Sequence, residues 1–455
     1  MDIQKNSEIE ITIDNLAYGG KGIGRIDNFV VFVKDAVPGD KLKVRIDKKN
    51  KSFAEAEITQ IIEPSPKRTT PPCRYFDMCG GCSWQNMKYE DQLFYKQEIA
   101  KTSITHISGC GEINIDDILP APNIWNYRNK MDFTFGYDSE MKPALGFHLK
   151  GRFDRIIDIS KCLIQPEPFN KILQIVKEET TNNKLEYYNP YSHQGFLRNL
   201  IIRHSRYTNK IIIIILSKSG DFYGLKELVD RLTKEVPEIK GFVWGVNDGL
   251  ADIAAMDKAK FTYGEPELLE QLDKVNFKIS PFSFFQTNSE TAKLLYDTVK
   301  EYLELTGEEN LLDAYCGTGS IGIYCADKTQ RIFGMEILLD AILDARENAK
   351  LNNIKNSVFM SGLIRKTLPL LLSAATNSIN RIVVDPPRSG MHKRALKMLL
   401  ELQVPVFVYV SCNPTTLARD ITEILESGYK IEKVQPVDMF PHTYHIETVV
   451  KFKKI

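Results

Sequence analysis

The chain has 455 residues, of which 43% are apolar, so it is long enough for about three domains with cores of their own. Lys and Arg together number 59, as do Asp and Glu, so the net charge is zero and any basic surface must be local. The longest aliphatic run, residues 211–216, is far shorter than the ~20 residues that span a bilayer, and the N-terminus lacks the apolar stretch of a signal peptide. We therefore expect a soluble, cytoplasmic protein with no membrane partner, in which residues 211–216 form a central strand.

Residues 1–63 predict a small antiparallel β-barrel. Short alternating runs (EIEITI, FVVFV and LKVRI) are separated by the turns GGKG and PGD. Residues 41–51 carry six basic side chains and one acidic one. Such a run is usually solvated surface, but it also suits contact with nucleic acid.

The cysteines are unevenly spaced, and three of them stand within the ten residues CRYFDMCGGC, after a proline-rich linker. In a cytosolic chain this favours metal ligation or catalysis over disulfides. Cys73, Cys79 and Cys82, with Cys162 as a fourth ligand, serve zinc or an iron–sulfur cluster equally well by count. We expect the other cysteines, apart from Cys412, to be small core residues; they are Cys110, Cys316 and Cys325.

Residues 64–282 predict a mixed α+β domain. A helix is expected from about Tyr89, followed by β-like runs such as WNYRNKMDFTFGY and ALGFHL. Two basic stretches, residues 127–130 and 197–206, suit phosphate contacts to a folded RNA whose target base is splayed out.

Residues 283–455 alternate strands and helices as in a doubly wound, mostly parallel sheet. The strand NLLDA leads into DAYCGTGSIG, where Gly317, Gly319 and Gly322 satisfy the G-x-G-x-x-G pattern of cofactor-binding turns. Glu336 ends the next strand 19 residues after Gly317, a spacing that suits a carboxylate binding the ribose of an adenosine-containing cofactor. These residues alone leave a nicotinamide-linked oxidoreductase as an alternative.

The segment RIVVDPPRSG favours a methyltransferase instead. Asp385 follows a strand, at the edge where open α/β sheets bind ligands, and two prolines fix the backbone there. Hydride transfer has no obvious need for this element, whereas a methyltransferase must orient a base beside a sulfonium.

Cys412 and Glu447 are predicted at the same edge, because Cys412 ends the next strand and Glu447 begins the last one. A lone Cys is most often a core residue and a lone Glu a solvated charge. Together they fit methylation at C5 of uracil, since a thiolate adding to C6 activates C5 and a base must then remove the C5 proton. Enzymes acting on an exocyclic amine need neither group and often carry an aromatic residue where this chain has Arg388. RNA cytosine-C5 enzymes carry a cysteine within the Pro-Pro element, which is absent here.

At these residues the chain resembles the S-adenosylmethionine-dependent RNA uracil-C5 methyltransferases. The motifs are DAYCGTGS, GMEIL, DPPRSG, YVSCNP and HIETV, together with the entry segment FSFFQTN. The N-terminal barrel resembles an OB-like TRAM domain, and CRYFDMCGGCSWQ resembles the cluster segment of the ribosomal-RNA members. The resemblance implies a Rossmann-like methyltransferase domain over residues 283–455, after the barrel (1–63) and the central domain (64–282).

The resemblance also implies roles for individual residues. Cys412 would be the nucleophile and Glu447 the proton acceptor, and the four cysteines of the central domain would hold a [4Fe–4S] cluster. Ser320 and the segment SGLIR depart from the family pattern. The residues expected to contact S-adenosylmethionine or hold the base are Gln286, Tyr315, Gly317, Gly319, Glu336 and Asp385.

The expected substrate is one uridine of 23S ribosomal RNA, and the expected active unit is a monomer. A tRNA uridine-C5 methyltransferase, the oxidoreductase and a non-catalytic RNA-binding protein are the alternatives. His442 and His445 stand beside a turn, and we expect them to position a loop rather than bind a metal.

Overall fold

The N-terminal residues form a small closed β-barrel of five strands. The computed structural model of the chain describes residues 3–109, 111, 113–250, 254–374 and 379–455. The strands are β1 (Glu8–Leu16), β2 (Gly22–Ile26), β3 (Phe29–Val33), β4 (Lys41–Lys49) and β5 (Phe53–Glu63). They close in the order β1-β2-β3-β5-β4, with apolar side chains alternating into the interior. The barrel that the sequence predicts is thus confirmed, except that β3 and β5 pair in parallel rather than antiparallel.

The basic residues of β4 are largely neutralised within the barrel. Three of them form ion pairs with acidic residues of the other strands: Lys41 with Glu63, Lys43 with Glu8, and Arg45 with Glu57. This part of residues 41–51 therefore has acidic partners within the protein and carries less net charge than its sequence suggests.

The middle of the chain forms a seven-stranded sheet with helices. The strands are β6 (Lys130–Tyr137), β7 (Pro143–His148), β8 (Ile156–Asp158), β9 (Leu197–His204), β10 (Ile211–Ser217), β11 (Ile239–Val246) and β12 (Lys258–Gly264). The helices are α1 (Tyr89–Ser108), α2 (Glu167–Asn182) and α3 (Leu225–Glu235). The order is β12-β11-β10-β9-β6-β7-β8, and every residue of β10 is buried, as the aliphatic run predicts. Cys110 lies outside the described residues.

The C-terminal part forms a second seven-stranded sheet. After the hairpin β13 (Leu268–Leu272) and β14 (Val275–Ile279), its strands are β15 (Asn310–Ala314), β16 (Arg331–Glu336), β17 (Ser357–Ser361), β18 (Arg381–Val384), β19 (Val406–Ser411), β20 (Tyr429–Val437) and β21 (Glu447–Lys454). Its helices are α4 (Ser289–Tyr302), α5 (Ser320–Tyr324), α6 (Leu339–Leu351), α7 (Ile364–Ala374), α8 (Lys393–Leu400) and α9 (Pro414–Glu426). Cys316 and Cys325 are buried in its core, as expected.

The strand order of this sheet is β17-β16-β15-β18-β19-β21-β20. Strands β15 to β19 are parallel, and the order reverses between β15 and β18. In open α/β sheets the ligand binds at this switch point, beyond the carboxyl ends of the strands. The fold thus places the expected cofactor turn after β15 and Asp385 after β18 on either side of the switch point.

The hairpin β13–β14 contacts both sheets, because its buried apolar residues belong to one core cluster with Ile212 of β10 and Leu311 of β15. The backbone N–H groups of Asn276 and Lys278 donate to the side chains of Asn352 and Asn348 near the end of α6, at 2.8 and 2.7 Å. The division of the chain at residues 63 and 282 remains a proposal. No helix in the described ranges is long and apolar enough to cross a membrane.

A buried ion pair ties the central region to the C-terminal sheet (β15 to β21). Lys96 of α1 donates to Asp438, just after β20, at 2.5 Å, and both side chains are fully buried. The hydroxyl of Tyr89 donates to the same carboxylate at 2.8 Å, and Lys96 also donates to the carbonyl of Phe440. Helix α1 therefore fixes the start of the loop that leads into β21.

We predict that Asp438→Ala strongly destabilises the protein. It leaves the buried ammonium of Lys96 without its carboxylate, which typically costs about 3–5 kcal/mol. Urea unfolding followed by tryptophan fluorescence should show a much lower midpoint. The control Glu63→Ala breaks an exposed pair with Lys41 and should change stability by less than about 1 kcal/mol. Equal midpoints for the two variants would contradict the prediction.

Candidate active site

Three neighbouring strands bring Asp385, Cys412 and Glu447 to one edge of the C-terminal sheet. Strands β18 and β19 are parallel, so Asp385 and Cys412 both follow their carboxyl ends. Strand β21 runs antiparallel to β19, with Thr448 opposite Ser411, so its first residue, Glu447, lies next to Cys412, the residue that follows β19. The sequence prediction that these residues share an edge is confirmed.

Glu447 is buried, with 5% of its surface exposed. Burial raises the pKa of its carboxyl well above the usual value, the carboxylate of Asp385 raises it further, and Arg388 opposes both effects. Burial likewise raises the pKa of Asp385, to about 7. A carboxyl with a raised pKa is a stronger base once ionised, which suits a group that must accept a proton from carbon.

Cys412 is half-buried and carries a neutral thiol in the free protein. Burial raises the pKa of the thiol to about 12, with further contributions from the carboxylates of Glu447 and Asp385, while Arg388 acts in the opposite direction. The thiol therefore lies close enough to Glu447 and Asp385 for their carboxylates to raise its pKa.

The residues after Cys412 fix the turn. Asn413 caps α9 by accepting the N–H of Thr415 at 3.0 Å, and Pro414 occupies the first turn of the helix, where no backbone donor is needed. The side-chain amide of Asn413 donates to the carbonyl of Arg388 at 3.0 Å. The motif SCNP therefore stops the strand, starts a helix and joins the cysteine turn to the Pro-Pro turn.

The Gly-rich turn follows β15 at the other side of the switch point. Tyr315 has a left-handed backbone with a φ of 74°, and its N–H donates to the carbonyl of Met335 in β16 at 2.9 Å. Gly319 also has a positive φ of 78°, and a Cβ there would lie 2.9 Å from Ile323. The turn therefore lies close to the sheet, and its left-handed residues give it the tight backbone that the Gly-rich motif predicts.

The sequence analysis did not identify Asp313, the acidic residue of β15, as a residue of the site. Its side chain is buried and accepts the N–H of Gly322 at 2.9 Å, so it ties the Gly-rich turn to the strand. Burial raises the pKa of its carboxyl to about 7. Its place directly after Leu311 and Leu312 in a buried strand is the signal that could have identified it.

The remaining expected cofactor residues surround this turn. Glu336 ends β16 and accepts the N–H of Leu338 at 3.0 Å. Ser320, which departs from the family pattern, accepts the hydroxyl of the buried Tyr296 at 3.0 Å. Gln286 is buried, and its backbone carbonyl accepts the amide of Asn129 from the central region at 3.1 Å.

The prediction that residues 197–206 contact RNA phosphates is wrong for two of their arginines. Arg198 and Arg203, in residues 197–206, are 2% and 3% exposed and donate to backbone carbonyls instead of facing solvent. Arg203 donates to the carbonyls of Ser280 and Ser283 at 2.7 and 2.8 Å. It therefore helps to fix the segment FSFFQTN, and a phosphate cannot reach it.

The loop between β20 and β21 is fixed by the cysteine segment as well as by α1. The N–H groups of Ser83 and Trp84 donate to the carbonyl of His442 at 2.9 and 3.0 Å. The ring of His442 stacks on Trp125 at 3.8 Å and lies 3.3 Å from the side-chain nitrogen of Gln92. His442 thus positions the loop, as expected.

The four cysteines of the central region line one cavity of about 190 Å³. Burial raises the pKa of three of their thiols, to about 12 for Cys82 and Cys162 and by a smaller amount for Cys79. Arg128 and Lys161 also line the cavity. Within the described ranges, no three His, Cys, Asp or Glu side chains form a group that could hold a single metal ion.

Comparison with known proteins gives matches along the chain. Residues 255–368 and 370–455 match the family described as tRNA (Uracil-5-)-methyltransferase, and residues 3–59 match the TRAM domain. An uncharacterized RNA methyltransferase of Halalkalibacterium halodurans is 36% identical over 447 residues, or 98% of this chain and 97% of the relative. One from Bacteroides thetaiotaomicron is 36% identical over 452 residues, covering 96% of this chain and 99% of the relative.

A solved structure is also similar over the full length. It is the Pyrococcus abyssi tRNA (uracil-54, C5)-methyltransferase in complex with S-adenosyl-L-homocysteine. It matches with a TM-score of 0.77 and 29% identity, covering 98% of this chain and 100% of the other. Similarity of this extent reaches from the barrel to the strand that carries Glu447, and the chain belongs to the RNA (uracil-5-)-methyltransferase family.

Proposed function

We propose that the enzyme transfers a methyl group from S-adenosylmethionine to C5 of a uridine in 23S ribosomal RNA through a covalent bond between Cys412 and C6. The observation that carries this proposal is the convergence of Cys412, Glu447 and Asp385 at the switch-point edge of the sheet. All three side chains come from one chain, which supports a monomer as the active unit.

The proposed reaction uses each of these groups once. The thiol of Cys412 loses its proton to water and the thiolate bonds to C6, which makes C5 nucleophilic. C5 then takes the methyl group that S-adenosylmethionine would supply, which leaves S-adenosylhomocysteine. Glu447 then removes the C5 proton, the C5–C6 double bond re-forms and the bond between C6 and sulfur breaks. Asp385, held rigidly by the two prolines that follow it, is proposed to hold the uracil ring.

The cofactor is proposed to bind along the turns after β15 and β16. Gly317 and Gly319 allow close approach of the backbone, and Glu336 is placed to bind the ribose. Tyr315 packs its side chain against the core on one face of the sheet, so we assign its contribution to the backbone of the turn. Gln286 would contact the cofactor from the entry segment that Arg203 fixes.

The cysteine cavity is proposed to hold a [4Fe–4S] cluster with a structural role. All four thiols line this cavity, which is the donor set that zinc and a [4Fe–4S] cluster share, and the choice of the cluster rests on the resemblance of the cysteine segment to that of the ribosomal-RNA members. Arg128 opposes the rise in the pKa of the Cys162 thiol and so favours its thiolate. The methyl transfer described above requires no electron, so the cluster would stabilise the segment that contacts His442.

The ribosomal substrate rests on the resemblance of the cysteine segment to that of the ribosomal-RNA members. A transfer RNA is the second candidate, because the Pyrococcus abyssi enzyme that is similar over the full length is named for a tRNA uridine.

We predict that Cys412 forms a covalent adduct with its RNA. In RNA that contains 5-fluorouridine, fluorine replaces the proton that must leave, so the adduct should persist under denaturing electrophoresis. Separate fluorinated transcripts of 23S ribosomal RNA and tRNA should show which one is linked. Cys412→Ala should form no adduct, whereas Cys325→Ala, which removes a buried core thiol, should form it normally. An adduct with Cys412→Ala would exclude Cys412 as the nucleophile.

We predict that Glu447→Gln stalls the enzyme after methyl transfer. Without the base, methylated RNA should remain linked to Cys412 even when ordinary uridine RNA is the substrate. Rapid-quench electrophoresis with methyl-labelled cofactor should show a labelled protein–RNA band. The matched change Glu432→Gln, on the neighbouring strand β20, should show none.

The pH dependence of the wild type gives a second measurement of this step. Because the pKa of Glu447 is raised, its carboxyl carries a proton at low pH and cannot act as a base. Breakdown of the methylated adduct should accelerate as the pH rises through that pKa and then level off. An inactive Glu447→Gln enzyme that binds RNA and cofactor normally but shows no labelled band would assign the proton transfer to another group.

We predict that the protein, purified without oxygen, contains about four iron atoms per chain and absorbs broadly near ~400 nm. Cys162→Ser should lose most of this iron, and Cys325→Ser should retain it. Metal analysis and the absorption spectrum provide the measurement. Stoichiometric zinc without iron would overturn the assignment.

A further inference from the structure

The turn between β1 and β2 of the barrel reaches the catalytic cysteine. The hydroxyl of Tyr18, in this turn, donates to the backbone carbonyl of Cys412 at 3.3 Å, although the two residues are 394 positions apart in the chain. The barrel is therefore in direct contact with the residue that the proposed mechanism makes the nucleophile.

Aromatic contacts hold the ring of Tyr18 in place. It meets Tyr444 edge-on, with ring centroids 5.7 Å apart and an angle of 88° between the planes. Tyr444 in turn lies 4.2 Å from the ring of His445, which is 3.5 Å from the guanidinium of Arg388. The ring of Tyr18 thus packs against the loop that leads into Glu447.

The backbone of the turn is fixed as well. The carbonyl of Gly20 accepts the indole N–H of Trp84 at 3.2 Å, and Gly20 has a φ of +87°. A Cβ at Gly20 would lie 3.1 Å from the ring of Tyr444. Burial raises the pKa of Tyr18 to about 12, so its hydroxyl remains a donor across the working range of pH. The turn presents one fixed donor to Cys412.

We propose that Tyr18 is a positioning residue for Cys412 and that the barrel thereby completes the active site. This inference rests on the proposed role of Cys412. The chain leaves β19 at Ser411, and Asn413 on the far side is held by the carbonyl of Arg388. Tyr18 restrains the carbonyl between these two points, and so sets the direction from which the sulfur can approach C6.

The alternative is that the contact between Tyr18 and Cys412 only holds the barrel against the C-terminal domain. Docking would be served by the ring of Tyr18 and by the apolar residues around it, which the change Tyr18→Phe preserves. Positioning requires the hydroxyl, which that change removes. The hydroxyl contacts Cys412 and not Glu447, so its loss should affect formation of the adduct and leave its breakdown unchanged.

The test measures single-turnover adduct formation with fluorinated RNA at saturating RNA and cofactor. Tyr18→Phe should form the adduct about threefold to tenfold more slowly, as expected for the loss of one hydrogen bond between neutral groups. The dissociation constants of RNA and S-adenosylmethionine should stay within about twofold of the wild-type values. The unfolding midpoint should be unchanged. With uridine RNA, no labelled band should accumulate, in contrast to Glu447→Gln.

The matched control is Tyr95→Phe. Tyr95 belongs to the same apolar cluster between the barrel and α1, and its hydroxyl accepts a hydrogen bond from Lys67 at 2.7 Å rather than contacting Cys412. This variant should form the adduct at the wild-type rate. A wild-type rate for Tyr18→Phe, an equal loss in Tyr95→Phe, or a loss confined to RNA affinity would each overturn the inference.

A second pair of variants moves the turn instead of removing the hydroxyl. Gly19 and Gly20 both have a positive φ, so alanine strains the turn at either position, but only at Gly20 does the new Cβ meet Tyr444. Gly20→Ala should slow adduct formation more than Gly19→Ala. Equal effects would count against the contact. If the wild type itself forms no adduct, the proposed role of Cys412 fails and this inference fails with it, which distinguishes that outcome from a failure at Tyr18 alone.

Discussion

The active site depends on the antiparallel pairing of β21 with β19. A purely parallel sheet would bring only the carboxyl ends of its strands to the ligand edge, and the first residue of the last strand would lie at the opposite edge. Because β21 is reversed, the first residue of the last strand, Glu447, lies next to the residue that follows β19. The same ladder buries Glu447 and so raises the pKa of its carboxyl. The position of Glu447 and its raised pKa therefore have the same cause, the pairing of β21 with β19.

Burial of Asp385 and Glu447 in one poorly solvated place makes their ionisation costly, as their raised pKa values show. The loop before β21 must hold Glu447 in that place. It is anchored by the buried pair of Lys96 and Asp438, by the donors of the cysteine segment and by the barrel turn. Three regions of the chain that the sequence presents as separate domains thus meet on one loop.

The sequence was sufficient to predict what periodicity and local motifs encode. Alternation predicted the barrel, and the spacing of Gly317, Gly319 and Glu336 predicted the turns at the switch point. The pairing of Cys412 with Glu447 followed from strand order and known chemistry. Contacts between distant segments carry no local pattern, so the hydrogen bond of Tyr18 and the ion pair of Lys96 were missed. The burial of Arg203 was also missed, because a basic residue in a β-like run has the same sequence signature whether it faces solvent or holds a neighbouring loop.

The raised pKa of Cys412 also affects how long the enzyme survives between turnovers. Peroxides and other electrophiles react with thiolates far faster than with thiols, and oxidation beyond the sulfenic acid is mostly irreversible. With a pKa of about 12, the sulfur is almost entirely protonated at neutral pH in the free protein. Burial of Cys412, with a smaller contribution from the two neighbouring carboxyls, therefore keeps the sulfur in its less reactive thiol form in the free protein.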